Sequence, residues 1–125
     1  MALLDGKQIK DGSITNAKLA TPAGTPTKND KFITCLATVA DFDAATASGI
    51  TATPASDGFV EVMVNGAMQH LGDGVKTTDC FFSADGGTTA KTIANIAAAD
   101  ILYWVGTVAG FQLAVTDKLS YNYSV

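Results

Sequence analysis

The chain has 125 residues, eight lysines, no arginine, twelve acids of which eleven are aspartate, and a net charge of −4. That length allows one domain and a tail. The acidic balance and the missing arginine argue against a nucleic-acid partner, which needs a basic face and bidentate phosphate or guanine contacts. No apolar run approaches the roughly 18–20 residues that would span a bilayer, and Met1 to Asp5 lacks the charged and apolar regions of a secretory leader. The expectation is a soluble protein made in the cytoplasm, with no membrane partner.

Charge is unevenly placed. Residues 1–31 hold five lysines against three aspartates and no aromatic side chain, a net of +2. Residues 32–125 hold three lysines against nine acids, a net of −6. The first stretch has isolated apolar residues, Leu3, Leu4, Ile9, Ile14 and Leu19, between the turn signals Asp5-Gly6 and Asp11-Gly12. Such a segment buries too little to fold alone. Residues 21–31 carry Pro22 and Pro26 and no large apolar side chain, as a linker or extended crossing strand would. Residues 1–30 are therefore expected to be an extended anchoring arm and linker, and residues 31–125 the body.

From Phe32 the pattern is that of short strands. Residues 31–39 read as the first. Residues 40–57 read as a long loop, with a short strand near Ile50 or a helical turn across 43–48. Residues 59–64 and 67–71 flank Asn65-Gly66, a strong type I′ hairpin signal. Alternation sends Val60, Val62 and Val64 to the core and Phe59, Glu61 and Met63 to the opposite face. Two large apolar residues flanking a charge there suggest a subunit interface at Phe59 and Met63.

Further strands are expected over 78–84, 101–105, 111–115 and 119–125. The 111–115 segment is read as the hairpin partner of 101–105, across a turn at 106–110. Ile93 and Ile96 suggest one helical turn, and the last strand alternates Leu119, Tyr121, Tyr123 and Val125 against Ser120, Asn122 and Ser124. Turn signals recur about every ten residues, which predicts an all-β body, an antiparallel β-sandwich or jelly-roll-like domain.

Chemistry-bearing residues are sparse. His70 is the sole histidine and has no nucleophile motif near it. Asp5, Asp11, Asp57, Asp73 and Asp85 precede glycines, where turn formation explains them without a catalytic carboxylate pair. Residues 83–88 lack the regular oxygen spacing of a calcium loop. Cys35 and Cys80 read as two buried thiols or as one disulfide, and their spacing makes no metal site. The reading is no catalytic residue, no cofactor and no metal. Trp104, Tyr103, Tyr121 and Tyr123 supply the rings for a glycan-stacking alternative, against core or subunit contacts.

Residues 6–20, Gly-Lys-Gln-Ile-Lys-Asp-Gly-Ser-Ile-Thr-Asn-Ala-Lys-Leu-Ala, resemble the I-x-x-G-S-I-T-x-x-K-L-A segments near the start of fibre and other virion structural proteins of tailed bacteriophages. The body, with Val64-Asn65-Gly66, residues 80–90, Leu102-Tyr103-Trp104 and Ala109-Gly110-Phe111, is similar to small β-domains of phage structural proteins. The resemblance implies a non-enzymatic virion protein on the particle surface: a capsid decoration, or a short head or tail fibre. It implies a homotrimer and partners among the capsid or tail proteins. Leu3, Leu4, Ile9, Lys10, Ile14, Lys18 and Leu19 become the candidate particle-anchoring residues. The runner-up is a carbohydrate-binding adhesion module that contacts host-surface glycans.

Overall fold

A computed structural model describes residues 28–29, 32–36, 39–55 and 59–125. Among the described residues eight short strands follow in chain order: β1 Lys28–Asn29, β2 Phe32–Thr34, β3 Asp43–Ala44, β4 Val60–Val64, β5 Ala67–Gln69, β6 Cys80–Ser83, β7 Ile101–Trp104 and β8 Lys118–Ser124. The helical content of the described residues is a 3-10 turn at Ile93–Asn95 and a single-turn helix α1 at Gly106–Ala109. No helix among the described residues is long and apolar enough to cross a membrane.

The strands form two antiparallel sheets, as the turn spacing predicts. In the five-stranded sheet the order is β1-β8-β4-β5, with β2 also on β8; in the three-stranded sheet it is β3-β7-β6. Lys28 opposes Ser124 and Phe32 opposes Ser120, so β1 and β2 keep one register along the same side of β8. The body therefore takes in Lys28 and Asn29, two residues inside the expected arm.

The sheets face each other across one core. Val60, Val62 and Val64 join Leu119, Tyr121 and Tyr123 from the larger sheet. They meet Cys80, Phe82, Leu102 and Trp104 from the smaller one, where Phe82 and Tyr121 pack edge to face at 5.3 Å. Main-chain bonds also tie the sheets together along both sides. Beyond β2, Leu36 N–H donates to Ala45 O at 3.0 Å. Beyond β5, Leu71 bridges Cys80, and Gly72 N–H donates to Cys80 O at 2.8 Å. These links consume edge groups that would otherwise invite another strand.

All four residues of β6 are buried. Cys80 and Phe82 face the main core, whereas Phe81 joins Tyr103 and Val105 in a second cluster on the outer side. Phe81 and Tyr103 stack at 5.6 Å, and the Lys76 amino group lies 5.7 Å from the Phe81 ring centroid while donating to Gly87 O at 2.7 Å. This layer explains why Cys-Phe-Phe-Ser is apolar without alternation: both faces of the strand are covered.

Four expectations are corrected. Residues 43–48 form no helical turn; β3 begins there and pairs with β7, Asp43 opposite Trp104. Ile50 exchanges main-chain bonds with Ala99 and Asp100 but belongs to no strand. Residues 111–115 are not the partner of β7, because β3 and β6 already occupy both of its sides. The 106–110 segment is α1, closed by Gly110 at φ 90°, and it swings the chain away so that only Leu113 makes a bridge, to Val39. Finally, β8 ends at Ser124 and leaves Val125 exposed, outside the buried row of Leu119, Tyr121 and Tyr123.

Candidate functional site

The seven candidate anchoring residues, Leu3, Leu4, Ile9, Lys10, Ile14, Lys18 and Leu19, lie outside the described residues. The candidate interface residues lie within them. Asn65 (φ 52°) and Gly66 (φ 83°) adopt the left-handed pair that a type I′ turn requires, and Met63 comes directly opposite Met68. With Val62 buried, Glu61 and Met63 fall on the outer face of the five-stranded sheet and are half-buried. Asn122 Nδ2 donates to Glu61 Oε1 at 3.2 Å across to β8. Phe59, just before β4, is 44% exposed and Met68 is 64% exposed. Met68 was absent from the sequence-based interface, although the two-residue turn alone places it beside Met63. Beside this hairpin a groove of about 410 Å³ runs between β5 and Ile93.

A second exposed apolar group, Phe42, Val108 and Phe111, carries no sequence signal because each residue is isolated in a loop. The fold brings their segments together at the end of β7. Phe42 N–H donates to Trp104 O at 2.7 Å, and the Phe111 ring lies 5.2 Å from Trp104.

The four rings considered for glycan stacking are buried: Trp104 and Tyr123 wholly, Tyr103 and Tyr121 nearly so. The Trp104 indole N–H is also spent on Phe111 O, at 2.9 Å. These side chains are core and offer no stacking platform.

Most of the described aspartates act as main-chain acceptors. Asp73 accepts the N–H of Ile93, Asp79 that of His70, Asp100 that of Ala97 and Asp117 that of Ala114, at 2.8–2.9 Å. Asp41 accepts both the N–H and the hydroxyl of Thr107. The short aspartate side chain suits this work, since it reaches a neighbouring backbone without losing many rotamers. Among the described residues no three His, Cys, Asp or Glu converge as a metal set. His70 is exposed, and its main chain is held at the β5–β6 junction.

The Ser83–Thr89 loop closes on itself. Ser83 Oγ donates to Asp85 Oδ1 at 2.6 Å and accepts the Gly87 N–H at 3.1 Å, and Thr89 N–H donates to Asp85 Oδ1 at 2.8 Å. The Ser83 hydroxyl and then the Thr89 amide hold the Asp85 carboxyl down at about 2, against an ordinary 3.8. A carboxyl lowered on folding supports the loop fully above its ordinary value and loses that support as pH falls through the folded value. The Thr89 amide resonance is thus expected to titrate with a midpoint near 2; a midpoint near 4 would contradict the loop geometry.

Cys35 and Cys80 are both free and buried. Burial first, and then the nearby charges of Asp117 and Asp79 respectively, push their thiols above the ordinary range. Neither is poised as a nucleophile, because the reactive form is the thiolate.

Comparison of the chain with protein-family models, with curated proteins and with solved structures returns no match.

Proposed function

We propose that this chain is a non-enzymatic structural protein of a phage virion, a capsid decoration or short head or tail fibre. Residues preceding β1 anchor it to the particle, and the β-sandwich projects outward as a knob. The resemblance of residues 6–20 to virion proteins motivates the reading. One structural observation supports it further: several aspartates of the body fasten one loop to another. Asp41 reaches Thr107, 66 residues away, and Asp73 reaches Ile93, 20 away. Charge spent on bracing loops suits a rigid module better than a reactive pocket.

The outer stripe of Phe59, Met63 and Met68 is the proposed contact between sister subunits of a homotrimer, and capsid or tail proteins are the proposed partners of the basic arm. Opposite charge supports the latter, since a lysine-bearing arm is drawn to an acidic assembled surface. The glycan-binding alternative is not favoured, because the rings considered for its platform, Trp104 and the tyrosines, are buried.

Antibodies raised against the body should label the surface of purified virions from the source lysate. A full-length chain with Ile9, Ile14 and Leu19 all replaced by Ser should fold but no longer enter particles. Equal incorporation of that variant would remove the anchoring role from these residues. Purified virions without the protein would end the structural reading altogether.

A further inference from the structure

We propose that Asn65 is a site of spontaneous deamidation, and that the corner formed by Asp117 and Lys118 sets its rate. The reaction needs only water. The Gly66 main-chain nitrogen attacks Asn65 Cγ, the Cγ–Nδ2 bond breaks, and ammonia leaves with the proton that Gly66 gives up. Water then opens the cyclic imide at either carbonyl, leaving aspartate or isoaspartate. Gly66 favours this chemistry because it has no Cβ to shield its nitrogen. The space around it is also open, with nothing within 4 Å of where a Cβ would stand.

The folded hairpin opposes the first step. Asn65 Nδ2 donates to Asp117 Oδ1 at 2.9 Å, and Asn65 Oδ1 accepts the Lys118 N–H at 2.9 Å. The Asn65 N–H itself donates to Lys118 O at 2.8 Å. Asp117 is fixed in turn, since Oδ2 accepts the Ala114 N–H and its own N–H donates to Ala114 O, both at 2.9 Å. Both ends of the Asn65 amide are therefore held by a rigid corner 52 and 53 residues away in sequence. Cyclisation requires the side chain to leave that corner, so the reaction waits on opening of the clamp.

The product cannot restore it. The group that donated from Nδ2 becomes a carboxylate oxygen facing the Asp117 carboxylate, a like-charge contact in place of a hydrogen bond. Isoaspartate also adds a main-chain atom to a two-residue turn whose register sets Val64 opposite Ala67 and Met63 opposite Met68. Deamidation is thus a one-way loosening of the hairpin that carries the Met63–Met68 pair, whatever that face binds.

The test follows Asn65 by peptide-mapping mass spectrometry on the full-length protein, incubated at mildly alkaline pH with and without urea. In the wild type, conversion should be slower in the folded than in the urea-unfolded protein by on the order of tenfold or more, the factor expected from a hydrogen bond to a charged group. Asp117→Ala should raise the folded-state rate towards the unfolded one and leave the unfolded rate unchanged. Equal rates for folded and unfolded wild type would overturn the proposal, and that comparison stands even if Asp117→Ala does not fold. A folded Asp117→Ala protein with the wild-type rate would overturn it as well.

Discussion

Trp104→Ala is expected to lower folding stability by about 3–5 kcal/mol, the range for deleting a large buried aromatic side chain. Against the ~5–15 kcal/mol that holds an ordinary domain together, this removes a large share of the total. Trp104 is fully buried and sits where three strands register, opposite Asp43 on β3 and Cys80 on β6. Its ring packs on Phe111 and its indole N–H closes on Phe111 O, which fastens the α1 segment back onto the smaller sheet. Alanine would leave both a cavity and a carbonyl without its donor. Trp104→Phe keeps most of the volume and loses the donor, so its cost should be nearer ~1 kcal/mol. Urea denaturation followed by circular dichroism measures both. The wild-type emission should be blue-shifted when folded and move to the red through the same transition. A loss below about 1 kcal/mol for Trp104→Ala would mean that the ring is far less confined than its contacts imply.

What the chain discloses about itself follows from the range of each signal. The Asn65-Gly66 hairpin was legible because its turn, its alternation and its register are all local. The shared face of Leu119, Tyr121 and Tyr123 was legible for the same reason, although only the fold shows that this face is core, and the all-β class followed from turn spacing. The pairing of β7 was not legible. Residues 101–105 and 111–115 look like a hairpin, but β3 and β6 compete for the same edges, and sequence gives no measure of that competition. Residues 43–44 have no strand pattern of their own; they pair because Trp104 and Tyr103 lie opposite. Aspartate–glycine steps announced turns, yet the reach of Asp73 to Ile93 depends on the finished fold, as does that of Asp41, which precedes no glycine, to Thr107. The candidate interface was half legible. Phe59 and Met63 follow from strand parity, whereas Met68 was left out although the turn register sets it opposite Met63; the separate group of Phe42, Val108 and Phe111 has its segments brought to the end of β7 only by loop placement.

Asp100→Ala carries the second large effect, an expected loss of about 2–3 kcal/mol. Removing one partner of a buried ion pair costs ~3–5 kcal/mol, and the lower figure applies because the surviving Lys91 is partly exposed and can rehydrate. Asp100 is buried, and its Oδ2 accepts from both the Lys91 amino group and the Ala97 N–H at 2.8 Å. Its main chain is engaged too, accepting the Ile50 N–H at 2.8 Å, while Ala99 N–H returns to Ile50 O at 2.8 Å. Ala99 holds φ 74° at this crossing, and Gly49 lies so close to the carbonyls of Ala99 and Asp100 that a Cβ there has no room. The loop before β7 and the loop after β3 are thereby locked together, with Lys91 binding the same knot to β6 through its N–H to Phe82 O. Asp100→Asn keeps an acceptor for Ala97 but loses the charge, so it should fall between wild type and Asp100→Ala. A cycle with Lys91→Met separates the two contributions: if the ion pair dominates, Asp100→Ala should cost much less in the Lys91→Met background than in the wild type. If it costs the same in both, the Ala97 cap carries the effect; a loss within ~0.5 kcal/mol of zero in the wild type would remove Asp100 from the structural frame entirely.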